Sequence, residues 1–318
     1  MNVKFDEKEY SYLVNNRMDD ALATFTARQL TYVRAQTLQA KKPPLEAFTV
    51  FPVQTDVPAG AETAIQITYD GVGMAEVITN YADDLPRVDV FATEQAVKVH
   101  SIGAAYGYNR QEIENAMFAK VNLSSTKAEQ AKRGVDLRIN KLAWHGDKTS
   151  NIIGFLNNPN ISEYSVKADG TGSSTKFANK TVEQILRDLN EFFAVIRKAT
   201  NNVERPNTLL LPPSAYAHLA TTPRSDNSDK TILEFIKQVY PNLTRIIEVN
   251  ELENADGKGK DMMFAGVFDP TYVRLEIPNR FDQLPVQERN LEYVVNCVSR
   301  VIGVNVVIPM AFVKAVGV

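Results

Sequence analysis

Apolar residues recur at three- and four-residue steps in two long stretches of the chain and at two-residue steps in several others. These two periods set the expected elements. Ala128, Ala131, Val135, Ile139 and Leu142 place a narrow apolar stripe along one face of a helix between residues 124 and 144. Gly146 follows the last periodic residue and suits a helix C-cap. A second helix opens at Thr181, with Gln184 placed for a capping box. Its stripe is broader: Val182, Ile185, Leu186, Leu189, Phe192, Phe193 and Ile196. Residues 208–211 read as a buried strand running into a helix started by Pro212-Pro213-Ser214. A further helix is expected over residues 230–240, followed by a strand at 244–249. The stretches 262–270, 271–278 and 293–318 are apolar and rich in strand formers.

Three segments depart from these periods. Residues 1–42 are polar, with a helical patch at 17–33 but no sustained stripe, as expected of an arm that gains order against another surface. Lys41-Lys42-Pro43-Pro44 then breaks any helix. Residues 62–78 alternate around Asp70-Gly71-Val72-Gly73, which predicts a β-hairpin turning there. Both faces of that hairpin read as mixed, and a hairpin without a core of its own packs on another surface. Residues 160–180 are expected to form a polar, Gly/Ser-rich loop or an exposed hairpin, and a boundary. Helices and strands follow one another in mixed order rather than in strict alternation, which points to an α+β fold and not a doubly wound sheet.

Composition narrows the class. At 318 residues the chain can build one large domain or two ordinary ones. A formal net charge of −3 argues against a general nucleic-acid coat. No apolar run reaches the length needed to span a bilayer, and the first residues lack the apolar core of a signal peptide. The single cysteine, Cys297, sits in an apolar strand-like run and is expected to be a buried, inert thiol. The absence of cysteine pairs fits synthesis in a reducing cytoplasm. Charge is unevenly distributed. Residues 43–97 hold nine acids (Glu46, Asp56, Glu62, Asp70, Glu76, Asp83, Asp84, Asp89, Glu94) against one base, Arg87. Residues 98–147 reverse the sign, with eight bases and five acids.

Reaction chemistry finds little support. No Gly-x-Ser-x-Gly elbow occurs. His100, His145 and His218 fall in three separate segments and suit core-edge or surface roles. No His-Glu-x-x-His, paired Cys-x-x-Cys or calcium-loop pattern is present, so neither a metal nor any other cofactor is expected. Gly71-Val72-Gly73 begins like a dinucleotide fingerprint, but Glu76 stands at the third glycine position. Asp83-Asp84 precede Leu85-Pro86 and read as a solvated or interface turn rather than a catalytic pair. An α+β enzyme using Asp83, Asp84 and His145 is the alternative of a different class; it lacks a base and nucleophile at useful spacing.

Four stretches in order, at residues 59–90, 101–116, 139–147 and 154–159, lie within a span of about a third of the chain. Together they resemble the tailed-bacteriophage major capsid proteins with the Johnson fold, shared with encapsulins and the herpesvirus shell floor. The resemblance implies an N-terminal arm (1–45), an extended β-hairpin E-loop with flanking strands (46–98), a P-domain with a long spine helix (99–179), an A-domain (180–285) and C-terminal strands returning to the core (286–318). It implies a structural subunit of the virion capsid, made in the host cytoplasm, that self-assembles into hexamers and pentamers of an icosahedral head around double-stranded DNA. The DNA contact would be non-specific and no membrane is involved; scaffold, portal and decoration proteins are the possible partners. An encapsulin-type compartment shell is the close alternative. In such shells the E-loop lies over a neighbour's P-domain, so Asp70, Glu76, Asp83 and Asp84 are expected to face Lys127, Lys132, Arg133, Arg138 and Lys141 of the next subunit. Some Johnson-fold shells cross-link an E-loop lysine to a neighbour's asparagine; no lysine lies between Lys42 and Lys98, so no such bond is expected. No long scaffold-like N-terminal extension is seen, so assembly would use a separate scaffold or none.

Overall fold

The computed structural model describes residues 43–72, 89–119, 123–225, 229–257, 259–290 and 292–318. The chain divides between Pro44 and Leu45, and Leu45–Val318 forms one compact unit. It begins with α1 (Ala47–Val50) and β1 (Val53–Gln54), then the long strands β2 (Thr63–Val72), β3 (Asp89–Lys98) and β4 (His100–Asn109). Two helices follow, α2 (Arg110–Ala119) and α3 (Leu123–His145), then three short strands: β5 (Gly146–Asp147), β6 (Ile152–Ile153) and β7 (Ser162–Ser165). Next come α4 (Val182–Ala199), β8 (Thr208–Leu211), α5 (Pro213–Thr221), α6 (Ile232–Val239), β9 (Arg245–Glu248), β10 (Met262–Gly266) and β11 (Val273–Glu276). The chain closes with β12 (Asn279–Gln283), β13 (Gln287–Arg289), β14 (Glu292–Val301), β15 (Gly303–Val306) and β16 (Phe312–Val316).

A five-stranded sheet in the order β7-β16-β10-β8-β9 separates two apolar cores. Strand alternation divides its side chains between them. Leu209, Leu211, Met263, Ala265, Val313 and Ala315 pack with the apolar faces of α4, α5 and α6. Leu210, Met262, Phe264 and Phe312 turn to the other side, into a core shared with Val135, Ile139, Leu142 and Trp144 of α3. Phe155 is the hub there: its ring lies 4.9–6.2 Å from those of Phe51, Trp144, Phe264, Phe268 and Phe312. The predicted stripe on α3 therefore holds, with Ala128 and Ala131 half-buried and the C-terminal half fully buried.

Local signals account for the helix ends. Thr181 accepts from the Gln184 amide while the Gln184 side chain accepts from the Thr181 amide, so two otherwise unpaired donors are satisfied. At the other terminus of α3 the chain reverses through Gly146, at φ 68°, and returns as β6. The returning amides of Phe155 and Leu156 then donate to the Ala143 and Trp144 carbonyls at 2.9 and 3.0 Å, capping the last turn of the helix. Alongside, β4 and β14 run antiparallel for ten residue pairs, from Asn109↔Glu292 to His100↔Val301. Cys297 is buried in that ladder, and burial pushes its thiol above the ordinary cysteine value, as an inert thiol requires.

Two expectations are corrected. Asp70-Gly71 is not a turn: both residues lie in β2, paired with Phe91 and Val90, and the strand that pairs with β2 is β3 rather than residues 74–78. Ten backbone pairs outweigh the local turn preference of Asp-Gly. Residues 160–180 are not merely a loop or exposed hairpin. Ser162–Ser165 forms the edge strand of the five-stranded sheet, parallel to β16, and Ile161, Val166 and Phe177 are buried.

A Cβ on Gly146 would sit 2.2 Å from the Ile152 carbonyl oxygen in a left-handed backbone. Gly146→Ala is therefore expected to cost at least about 2 kcal/mol in urea denaturation, with the loss concentrated in the α3–β6 reversal.

Candidate assembly interface

β2 and β3 form a two-stranded ribbon that belongs to no larger sheet. Its register, from Thr63↔Lys98 to Val72↔Asp89, decides which side chains share a face. Directly opposed residues of an antiparallel pair point the same way. One face thus carries Ile65, Ile67 and Tyr69 with Val90, Ala92, Glu94 and Ala96. It is apolar apart from Glu94, yet Ile65 is 63% exposed, Tyr69 70% and Val90 63%. The opposite face carries Ala64, Gln66, Thr68, Phe91, Thr93, Gln95 and Val97. A two-stranded ribbon cannot bury a face against itself, and an apolar strip with polar edges marks an interaction surface.

The ribbon is tied to the body at its base. Gln66 Oε1 accepts from Arg274 Nη2 at 2.7 Å and from Asn305 Nδ2 at 2.9 Å. Both donors are themselves held by the buried carboxylate of Glu276, Arg274 Nε at 2.6 Å and Asn305 Nδ2 at 3.0 Å. Below the clasp lies a cavity of about 300 Å³ lined by Gln54, Asp56, Ala64, Val97 and Glu276 among others. Arg300 Nη1 adds a second tie, donating to the Ala59 and Ala61 carbonyls on the chain entering the ribbon.

The charged residues named from the sequence divide differently. Glu76, Asp83 and Asp84 lie outside the described residues, while Asp70 pairs through its backbone with Phe91. Glu46 is no part of the ribbon: it is buried at the start of α1. On and beside α3, Lys127 donates to Glu112 Oε2 at 2.7 Å and to the Gly107 carbonyl at 2.8 Å, and stands 4.8 Å from the Tyr108 ring centroid. That hydrogen bond is the main cause holding the Glu112 carboxyl below its ordinary value. Arg138 donates to Asp147 Oδ2 at 2.6 Å. Two of the five bases are thus bonded within their own subunit. Arg133 is half-buried, whereas Lys132 and Lys141 are exposed and hold no hydrogen bond or ion pair to another described residue. Leu137 is 46% exposed, and Gly134 has no neighbour within 4 Å of where a Cβ would stand. Gly134, Leu137 and Lys141 share the outer face of α3 at three- and seven-residue spacing with Arg138 beside them, whereas Lys132, two residues before Gly134, points to another side of the helix. The apolar ribbon face itself was missed in the sequence, although Ile65, Ile67 and Tyr69 alternate plainly; reading 74–78 as the return strand hid Val90, Ala92 and Ala96.

Fold and surface together match one class of protein. The family profile of major capsid proteins matches residues 73–318, and the chain belongs to that family. Among solved structures it is similar to the capsid of the Myoviridae phage XM1, with a TM-score of 0.75 and 16% identity over 92% of this chain and 98% of that one. It also resembles the capsid of a native GTA particle (TM-score 0.64, 9% identity, 93% and 98% coverage). The virus-like particle from Pyrococcus furiosus is less similar (TM-score 0.52, 12% identity, 84% and 90% coverage). No curated protein sequence matches. The mixed helix-and-strand architecture is thus a Johnson-type α+β fold, and the chain is a structural component of a capsid.

Gln66→Ala removes one acceptor from the clasp but leaves Arg274 and Asn305 bonded to Glu276. It is expected to change global stability by less than about 1 kcal/mol, while amides of residues 63–72 exchange faster in hydrogen-exchange mass spectrometry.

Proposed function

We propose that the chain is the major capsid protein of a tailed phage, assembling into hexamers and pentamers of an icosahedral head around double-stranded DNA, and that its β2–β3 ribbon is the E-loop that overlies the next subunit. The exposed apolar face of that ribbon carries the proposal, because a folded subunit in water gains nothing from presenting Ile65, Ile67, Tyr69 and Val90 to solvent. On the neighbour, the complementary surface is the open α3 face at Gly134 and Leu137, bordered by Arg138 and Lys141.

Magnitudes rank the contributions. Fully burying one large apolar side chain contributes about 1.5–3 kcal/mol, whereas an exposed ion pair contributes about 0–1 kcal/mol. Apolar contact is thus the source of cohesion. The acids Asp70, Glu76, Asp83 and Asp84 supply attraction at longer range and set register against Lys132 and Lys141; Lys127 and Arg138, bonded to Glu112 and Asp147, and the half-buried Arg133 contribute less. In this reading residues 1–45 are the arm, 99–179 the P-domain and 180–285 the A-domain. The subunit is made in the host cytoplasm, meets packaged DNA non-specifically, uses portal and scaffold partners, and performs no catalysis. An encapsulin-type shell is the second reading. It is distinguished by whether purified particles hold DNA or a protein cargo.

The double substitution Tyr69→Asp and Val90→Asp falls on positions 70% and 63% exposed in the free subunit, so its melting point should stay near that of the wild type while closed shells disappear from electron micrographs. Shells that still form at normal yield would exclude the ribbon as the contact. Reversing Asp70, Glu76, Asp83 and Asp84 to Lys is expected to slow assembly, more strongly at low salt; unchanged kinetics at low salt would remove the electrostatic part. Denaturing gels of assembled particles should show monomer alone, and a ladder would demonstrate a cross-link that the segment between Lys42 and Lys98 has no lysine to make.

A further inference from the structure

Residues 45–51 fasten the start of the compact unit into its main core. Ala47, Val50 and Phe51 are buried, and the Phe51 ring lies 5.0 Å from that of Trp144, the only tryptophan in the chain. Beside them is a closed ring of polar contacts. The Ala47 amide donates to Asn140 Oδ1 on α3 at 2.9 Å, and Asn140 Nδ2 donates to Glu251 Oε1 at 2.5 Å. Asn250, the neighbour of Glu251, donates to both oxygens of Glu46, from its backbone amide at 2.7 Å and from Nδ2 at 2.8 Å. Three parts of the fold meet here: the 45–51 segment, α3, and the turn at Asn250–Leu252.

The ring contains two carboxylates and no cation. Among the described residues neither Glu46 nor Glu251 forms an ion pair, and Glu251 Oε2 is buried with no hydrogen-bond donor. Two buried negative charges side by side, one with an oxygen that accepts nothing, are strongly unfavourable. A proton held between them removes one charge and supplies the missing donor. The surroundings do not offer a substitute. Glu248 on β9 adds negative charge near Glu46. His145, at the end of α3, is held toward its neutral form by burial; the charge of Glu251 pulls the other way, and Lys141 acts with burial, so the net direction is still toward the neutral ring. The Arg245 guanidinium, also on β9, is directed to the Thr49 carbonyl at 2.7 Å.

We infer that Glu46 and Glu251 share one proton and that this proton is a latch: its loss unseats residues 45–51, the point where residues 1–44 join the compact unit, from α3 and the Asn250–Leu252 turn. The direction of the pH dependence follows from linkage. Burial, followed by the hydrogen bond and the charge of Glu251, pushes Glu46 up to about 8. The seated form therefore holds a proton that the unseated form releases, and unseating is promoted as pH rises. With the seated value near 8 and the unseated value at the ordinary 4.5, the unseating constant rises about tenfold from about pH 7 to about pH 9.

Trp144 emission of the full-length chain, titrated from about pH 7 to about pH 9, reads this directly, above the ordinary histidine value and below the ordinary tyrosine value. The wild-type band is expected to shift to longer wavelength with a midpoint near pH 8 as Phe51 leaves the indole. In Glu46→Gln the transition is absent, and in Glu251→Gln it moves to lower pH because the neighbouring charge is gone. His145 titrates on the acid side of its ordinary value and does not enter this window. A wild-type band that stays flat, or a transition that survives Glu46→Gln, overturns the latch. If Glu46→Gln does not fold, Glu251→Gln alone decides, and an unmoved midpoint there overturns it equally.

Discussion

Ten residue pairs of antiparallel ribbon leave the body of this subunit with no sheet on either side and an apolar face in water. Every residue of β2 has a partner on β3, and neither outer edge of the ribbon is covered by another strand. The side chains of Ile65, Ile67, Tyr69 and Val90 are left as a stock of unrealised burial. The rest of the architecture makes sense as the means of carrying that face to another molecule and holding it at a defined angle. Gln66, shared between Arg274 and Asn305, sets the exit direction, and the buried Glu276 carboxylate behind them keeps both donors in place.

An interaction surface of this kind needs a rigid base, and the two-core arrangement provides it. A single five-stranded sheet carries α4, α5 and α6 on one side and α3 on the other, so displacement of either layer would disturb close-packed side chains in both. The aromatic cluster around Phe155 joins α3, the 45–51 segment and the strands β10 and β16 in one contiguous core. The Gly146 reversal locks α3 further, since the chain that returns from it satisfies the helix's own terminal carbonyls. In the proposed assembly the receiving face lies on α3, whose apolar stripe at Val135, Ile139 and Leu142 is buried in the main core, while the offered face lies on a pair of strands outside any larger sheet.

The sequence was legible where structure is decided locally. The Thr181–Gln184 capping box, the 208–211 strand and the α3 stripe all depend on residues within a few positions of one another, and all are found as read. It was misleading where a distant partner decides. Asp70-Gly71 carries strong turn chemistry, yet pairing with residues 19 and 21 positions onward (Gly71↔Val90, Asp70↔Phe91) keeps it extended. The polar stretch at 160–180 hides a strand whose partner, β16, lies about 150 residues away in the chain. The same limit applies to the candidate site. Lys127 and Arg138 are as basic as Lys132 and Lys141 in sequence, and only the fold brings Glu112 and Asp147 to two of the four. The apolar face of the ribbon is spread over two strands and becomes a face only once their register is known.

The central claim is that the ribbon's apolar face is buried by a second copy of the chain. Electron cryo-microscopy of particles assembled from the full-length protein tests it most directly. The account predicts Ile65, Ile67, Tyr69 and Val90 enclosed against a neighbouring subunit, over the α3 face that holds Gly134, Leu137 and Lys141. A closed shell in which that face still meets solvent, or in which a neighbour's α3 is covered by something other than the ribbon, would contradict it.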